Sequence, residues 1–434
     1  AQLAEMQPQS EAAHALEDST SQERDHAEHA LSQWQQGWDQ HSSQLAQAQR
    51  ETQVERARIE QLENLERRLL GQRERIESAI DRALTFAHLN FSTNMADPAR
   101  GALVARLQEK AAGLETQMLF FALEWAAVDD ETAAPTLGDP ALDHWRHYLE
   151  SLRKFRPHLL SEPEERILTE KSVSGAAAWS RLYEELLGMI RVDIDGEQLS
   201  LETAMARLYS SERDVRQGAA EGVSAALEPG LRTRNYVFNT ILLEKSIDDR
   251  LRGYPTWISS RNLANETTDE AVQALIDAAV SRYEVAQRYY TLKARLLGLD
   301  RLTHYDRFAP VADASEKTPW EEAREIVVGA DGDFSDEAGS IVDGFFARNW
   351  IDGPVRDDKR HGAFCATTVP GVHPYVLMNY TGDRRSILTL AHELGHGLHA
   401  YLARPQGVFH QATPLTLAET ASVFGETVTN NRLL

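Results

Sequence analysis

The segment Ile387-Leu388-Thr389-Leu390-Ala391-His392-Glu393-Leu394-Gly395-His396 carries two histidines four residues apart, with a glutamate directly after the first. At 3.6 residues per turn that spacing puts both imidazoles on one helix face, where a single zinc ion can bridge them. Glu393 is rotated about 100° from His392, so it cannot share the ligand face but can reach a water beside the ion and serve as its base. A hydrolytic zinc ion takes a third protein ligand and keeps one position open. The candidate is Glu419, 23 residues after His396, in Leu417-Ala418-Glu419-Thr420-Ala421-Ser422. Glu426, two turns further along the same helix face, is too far away to bind that ion together with Glu419. It could instead hydrogen-bond the distal nitrogen of a ligand histidine, or stand as a solvent-facing or helix-paired carboxylate. His399 shares the His392 and His396 face but lies roughly 10 Å along the axis from His392, so it reads as a subsite wall or a packed core histidine. Cys365 has no thiolate-stabilising partner nearby in sequence and reads as a small buried residue.

Elements of definite kinds must hold these groups. The apolar flanks of His392 and His396 imply a buried helix. A second apolar-periodic helix, starting near Pro414 after a loop that contains Gly407, would bring Glu419 in as an antiparallel neighbour. Helical periodicity also runs through 103–123, 145–155, 176–190 and 271–296, with Gly or Pro between the segments. Strand candidates are few: 190–194, and the stretch around Tyr375-Val376-Leu377-Met378. The expected fold class is therefore mainly α, with a small β element.

The amino end has another texture. No proline occurs between Pro8 and Pro98, and steps of four and three from Ala27 to Ile80 select sixteen positions, eleven of them apolar. A seam so narrow is a coiled-coil signature; one long helix packed on a globular domain is the alternative. The domain reading is a coiled-coil-like segment over 1–77, a helical subdomain over 78–190 and a zinc-binding domain over 191–434. Self-association through the coiled coil would follow.

Composition narrows the partners. The chain of 434 residues carries 45 Lys and Arg against 67 Asp and Glu, a net charge of -22, which repels nucleic-acid phosphates and anionic membranes. Its one cysteine excludes an intramolecular disulfide framework and suits the cytoplasm. There is no apolar run of about eighteen residues and no secretory leader pattern. The sequence opens on Ala1 rather than Met and stops at Leu434 inside an apolar-periodic pattern, which reads as a fragment.

Together, Thr389 to His399 and Leu417 to Ser422 resemble the oligoendopeptidase F branch of the thimet-oligopeptidase-like zinc metallopeptidases. So do Phe155-Arg156-Pro157-His158-Leu159-Leu160-Ser161-Glu162-Pro163-Glu164-Glu165, Asp248-Asp249-Arg250-Leu251-Arg252-Gly253-Tyr254-Pro255, Ser260-Arg261-Asn262-Leu263-Ala264-Asn265-Glu266 and Gly362-Ala363-Phe364-Cys365. The resemblance runs from about residue 80 to the end. It implies a helical, neurolysin-like fold with a deep channel that admits short unfolded peptides and hydrolyses them with one Zn2+ ion. His392, His396 and Glu419 match the family's zinc ligands, and Glu393 its general base. An extended stretch bordering the cleft would comprise Gly362, Ala363, Phe364 and Cys365 with His373 to Tyr380, including Tyr375, and peptides could add to it by strand pairing. The family's oxyanion-stabilising His and Tyr come from a region that would follow Leu434. Residues 1–77 instead resemble, more distantly, a coiled-coil arm of a bacterial structural-maintenance-of-chromosomes protein. Two functions are therefore expected to compete: a peptidase, and a catalytically incomplete coiled-coil assembly protein. The intact Glu393 favours the first, since a protein that only binds has no need of the base.

Overall fold

A computed structural model describes residues 65–311 and 317–434, together with Trp38. Most of the segment expected to form a coiled coil over 1–77 lies outside the described residues. The chain divides into two compact units, Ala1–Ile76 and Glu77–Leu434. The second holds His392, Glu393, His396 and Glu419.

Helices dominate this second unit. Pro98–Ala127 starts on Asp97, whose carboxylate accepts from the Ala99 N–H, with proline at the first helical position. Arg146–Lys154, Glu162–Ser172 and Ala176–Gly188 follow. The periodicity over 271–296 resolves into two helices, Asp269–Val280 and Tyr283–Leu296, because Arg282 leaves the helical region, at φ -115° and ψ 12°, and its N–H closes a tighter turn on the Ala279 carbonyl at 3.1 Å. Asp269–Val280 buries none of its residues. Leu231–Leu251 and these two helices each expose large apolar side chains, among them Phe238, Leu243, Leu275, Tyr283, Tyr289 and Leu296.

The family-like motifs upstream of the histidines fold together into one joint. Arg252 donates to both carboxylate oxygens of Glu165, at 2.6 and 2.9 Å, a bidentate pairing that fixes direction as well as distance. His158 stacks on Tyr254 at 3.9 Å and bonds the Arg252 carbonyl. Glu266 receives Lys154 and His147, while Asn265 meets the backbone N–H of Leu415 and the hydroxyl of Thr416. The start of the helix carrying Glu419 is thereby anchored. A second polar anchor is Asp306, fully buried, which accepts from Arg213 and Arg216 and caps its own turn through Thr303.

Five strands are described. β1 (Arg191–Ile194) and β2 (Glu197–Ser200) form an antiparallel hairpin whose turn, Asp195-Gly196, has positive φ at both residues, 55° and 86°. That is the requirement of a two-residue I′ turn. β3 (Ile351–Pro354), β4 (Phe364–Ala366) and β5 (Tyr375–Tyr380) form a sheet of order β3-β5-β4, with β3 parallel and β4 antiparallel to β5. β4 is therefore an edge strand. Buried Lys359 ties β3 to β5, donating to the carbonyls of Asp352, Pro354 and Met378.

The sheet backs the helix Arg384–Ala403. Ile387, Leu390, Ala391 and Leu394 make an i, i+3, i+4, i+7 stripe that packs with Val376 and Met378 of β5 and with Val327, Val342 and Phe345 of the helices Trp320–Phe334 and Asp336–Ala347. The final helix, Leu415–Leu433, runs antiparallel beside it: Gly395 meets Ala421, Gly425 meets Ala391, and Arg384 reaches Asn430.

Candidate metal centre

Asp383 starts the helix that carries both histidines, its carboxylate accepting from the Ser386 N–H at 2.8 Å. With the apolar stripe committed to the core, the opposite face presents His392 and His396 to a cleft. Close approach at Gly395 and Gly425 lets the final helix lie near enough for Glu419 to reach them. One Glu419 carboxylate oxygen lies 3.2 Å from His392 Nε2 and 3.4 Å from His396 Nε2. All three donor atoms fall within 4.8 Å of one another. Two ligands held at zinc's usual 2.0–2.1 Å in a tetrahedron are separated by about 3.3 Å, so this donor set fits such an ion.

Each donor is held from behind. Glu426 lies 3.4 Å from His392 Nδ1, the imidazole of His396 bonds the Ala418 carbonyl, and Ser422 donates to Glu419 at 2.7 Å. The Ser422 bond keeps the Glu419 carboxyl below its ordinary range, and burial lowers His396, so both lean toward the deprotonated forms a cation needs.

Glu393 occupies a different face. It is buried and accepts from the Cys365 N–H of β4. Burial, reinforced by the Glu419 charge and opposed by His392 and that N–H, pushes its carboxyl up to about 7. A carboxylate poised there can take a proton and return it near neutrality. Cys365 shares the enclosure, and its thiol is pushed up by burial first and by Glu393 second, so it is an inert neighbour.

Two cavities flank the centre. The larger, about 550 Å³, is lined by Gly362, Ala363, His392 and Glu393 together with Tyr209 and Arg385. The other, about 380 Å³, meets Phe364, Cys365, His396, His399, Gln411 and Glu419. Gly362, Ala363, Phe364 and His399 thus border the cleft, whereas His373, Tyr375 and Tyr380 line neither cavity. His373 stacks on Trp350 at 3.9 Å, Tyr375 lies against His373, and Tyr380 donates to the Thr318 carbonyl at 2.8 Å beside Trp320. Asn379, within the expected His373 to Tyr380 stretch, does line the larger cavity, whereas sequence reasoning misses Glu202, Tyr209 and Arg385, because nothing local to any of them announces a cleft.

The fold has solved counterparts. Oligoendopeptidase F from Enterococcus faecium superposes with a TM-score of 0.65 at 20% identity, covering 92% of this chain and 67% of that one. PZ peptidase A, solved with an inhibitor, gives 0.76 at 15% identity over 90% and 68%. The architecture is therefore that of the mainly helical oligoendopeptidase F peptidases. Residues 206–434 match the family model of peptidase family M3 and residues 124–191 that of oligopeptidase F, and the chain belongs to peptidase family M3. Among curated relatives, oligopeptidase PepF of Bacillus subtilis is 26% identical over 84% of this chain and 56% of its own length. Group B oligopeptidase PepB of Streptococcus agalactiae is 26% identical over 68% and 50%. The chain spans about half the length of these relatives.

Proposed function

We propose that this chain holds one zinc ion through His392, His396 and Glu419 and hydrolyses short, unfolded peptides with Glu393 as general base. The observation that carries the reading is the pairing of a donor set at tetrahedral spacing with a buried carboxylate, pushed up to about 7, one residue after the first donor. The ion, when bound, would polarise the scissile carbonyl and acidify an attacking water. Glu393 takes the proton of that water and passes it to the departing amine, two transfers that a carboxyl near 7 performs without a large mismatch at either end. The edge strand β4 is paired with a strand on one side only, so a peptide added along its other side would be read chiefly by its main chain, with loose side-chain preference. A cytoplasmic location is part of the proposal. Among the described residues, no helix is long and apolar enough to cross a membrane.

The experiment is zinc stoichiometry together with hydrolysis of an internally quenched peptide of about eight residues, for the chain and for Glu393→Gln. One zinc per chain in both proteins, with turnover lost only in the variant, is the expected result. Zinc bound without any hydrolysis that depends on Glu393 would reject the peptidase reading for this chain and leave the assembly role.

A further inference from the structure

Arg385 precedes His392 by seven residues on the helix Arg384–Ala403, which places it on the donor face about 10 Å toward the helix start. It lines the larger cavity. Its guanidinium lies 4.6 Å from the centre of the Tyr209 ring, which stacks on Phe308 at 4.5 Å. The acidic groups around this cavity are already engaged: Glu202 accepts from the Gly362 N–H, Asp383 caps the helix, and Glu426 stands at His392. Arg384 bonds the side chain of Asn430. Arg385 alone among these groups meets an aromatic face and no carboxylate among the described residues. A guanidinium held over a ring keeps its donor edge available for a bidentate anion.

The edge strand sets the direction of a bound chain. β4 runs from Phe364 to Ala366, with Gly362 and Ala363 bordering the larger cavity and Cys365 and Thr367 the smaller. A peptide laid antiparallel to β4 therefore runs from the smaller cavity, past the metal centre, into the larger one, and its carboxyl end approaches Arg385. An extended chain advances about 3.3 Å per residue, so roughly 10 Å corresponds to three residues.

We propose that Arg385 receives the free terminal carboxylate of a bound peptide about three residues beyond the bond at the metal centre. The site then selects chain ends as well as extended backbone. This role for Arg385 rests on the proposed peptide-binding function.

The test is fluorescence anisotropy with the zinc-loaded Glu393→Gln chain and an amino-terminally labelled peptide of about eight apolar residues. Three forms are compared: free acid, carboxyl-terminal amide, and amide with Glu as the last residue. The free acid should bind about tenfold more tightly than the amide, and Arg385→Ala should erase that difference while Arg385→Lys restores part of it. Equal binding of acid and amide, or a preference that survives Arg385→Ala, would overturn the proposal and leave peptide binding intact. Full recovery of affinity by the amide ending in Glu would overturn it in favour of an acidic side chain. Failure of all three peptides to bind would instead reject the peptide-binding function itself, and the proposal with it.

Discussion

Gly395 faces the backbone of Ala421 so closely that a Cβ on it would stand 2.4 Å from the Ala421 carbonyl oxygen and 2.7 Å from Ser422 Cα. Both obstacles are backbone, so neither can swing aside. The substitution Gly395→Ala must push the two helices apart, at a cost of about 1–3 kcal/mol, and carry Glu419 away from the imidazoles. Chelator competition should show weakened zinc binding, and thermal unfolding a lower midpoint. Gly113→Ala, inside the helix Pro98–Ala127 with nothing within 4 Å of the added carbon, is the control. It should stabilise by about 0.5–1 kcal/mol.

The groups behind the donors should matter less than the donors. Glu419→Ala leaves two imidazoles for the ion and should reduce bound zinc well below one per chain at micromolar metal. Glu426→Gln keeps all three donors but removes the charge 3.4 Å from His392 Nδ1, and should weaken zinc by about 10- to 100-fold. Equal losses from the two substitutions would place Glu426 among the ligands.

Asp331 gives a stability signature at neutral pH. It is 3% exposed, and burial pushes its carboxyl up to about 6 from an ordinary value near 3.8. Between those values the folded protein holds a proton that the unfolded chain has released. The stabilisation is full below about pH 4 and is lost as pH rises through about 6. Asp331→Asn should therefore match the parent at pH 4 and exceed it by up to about 3 kcal/mol at pH 8, as read from urea midpoints.

Asp306 behaves oppositely. Its hydrogen bond from Arg213 is the largest influence, with Thr303 and Arg216 adding to it, and together they hold the carboxyl far below its ordinary range despite burial. Its contribution is present above about pH 4 and disappears on acidification. Asp306→Ala leaves the guanidinium of Arg216 buried without its carboxylate, and a loss of about 3–5 kcal/mol at pH 7 is expected, shrinking as the pH falls.

How much of this can be read from the amino acids alone depends on how local each feature is. His392, Glu393 and His396 lie within one helix, so spacing fixes their relative directions before any tertiary structure exists. Glu419 lies on the next long helix, and periodicity is enough to bring it near. Glu202 and Tyr209 meet Arg385 across more than 170 residues of chain, and no periodicity links them. β2 is missing from the strand candidates although it is legible: Asp195-Gly196 after an apolar strand is a hairpin signal. β3 is harder, being four residues long with Gly353 and Pro354, two poor strand formers, in its second half. His373, Tyr375 and Tyr380 belong to the right stretch, but which of them faces the cleft is decided by Trp350, Thr318 and Trp320, partners remote in sequence.

The exposed apolar side chains of Leu231–Leu251, Asp269–Val280 and Tyr283–Leu296 bear on how the polypeptide behaves in a test tube. Exposed apolar side chains promote sticking between molecules, whereas a net charge of -22 keeps them apart. Those two forces respond differently to ionic strength. Salt shortens the reach of the repulsion from about 30 Å at 0.01 M to about 8 Å at 0.15 M and leaves the hydrophobic attraction in place. Dilute buffer is thus the condition that keeps the protein dispersed, and turbidity should climb as sodium chloride is added.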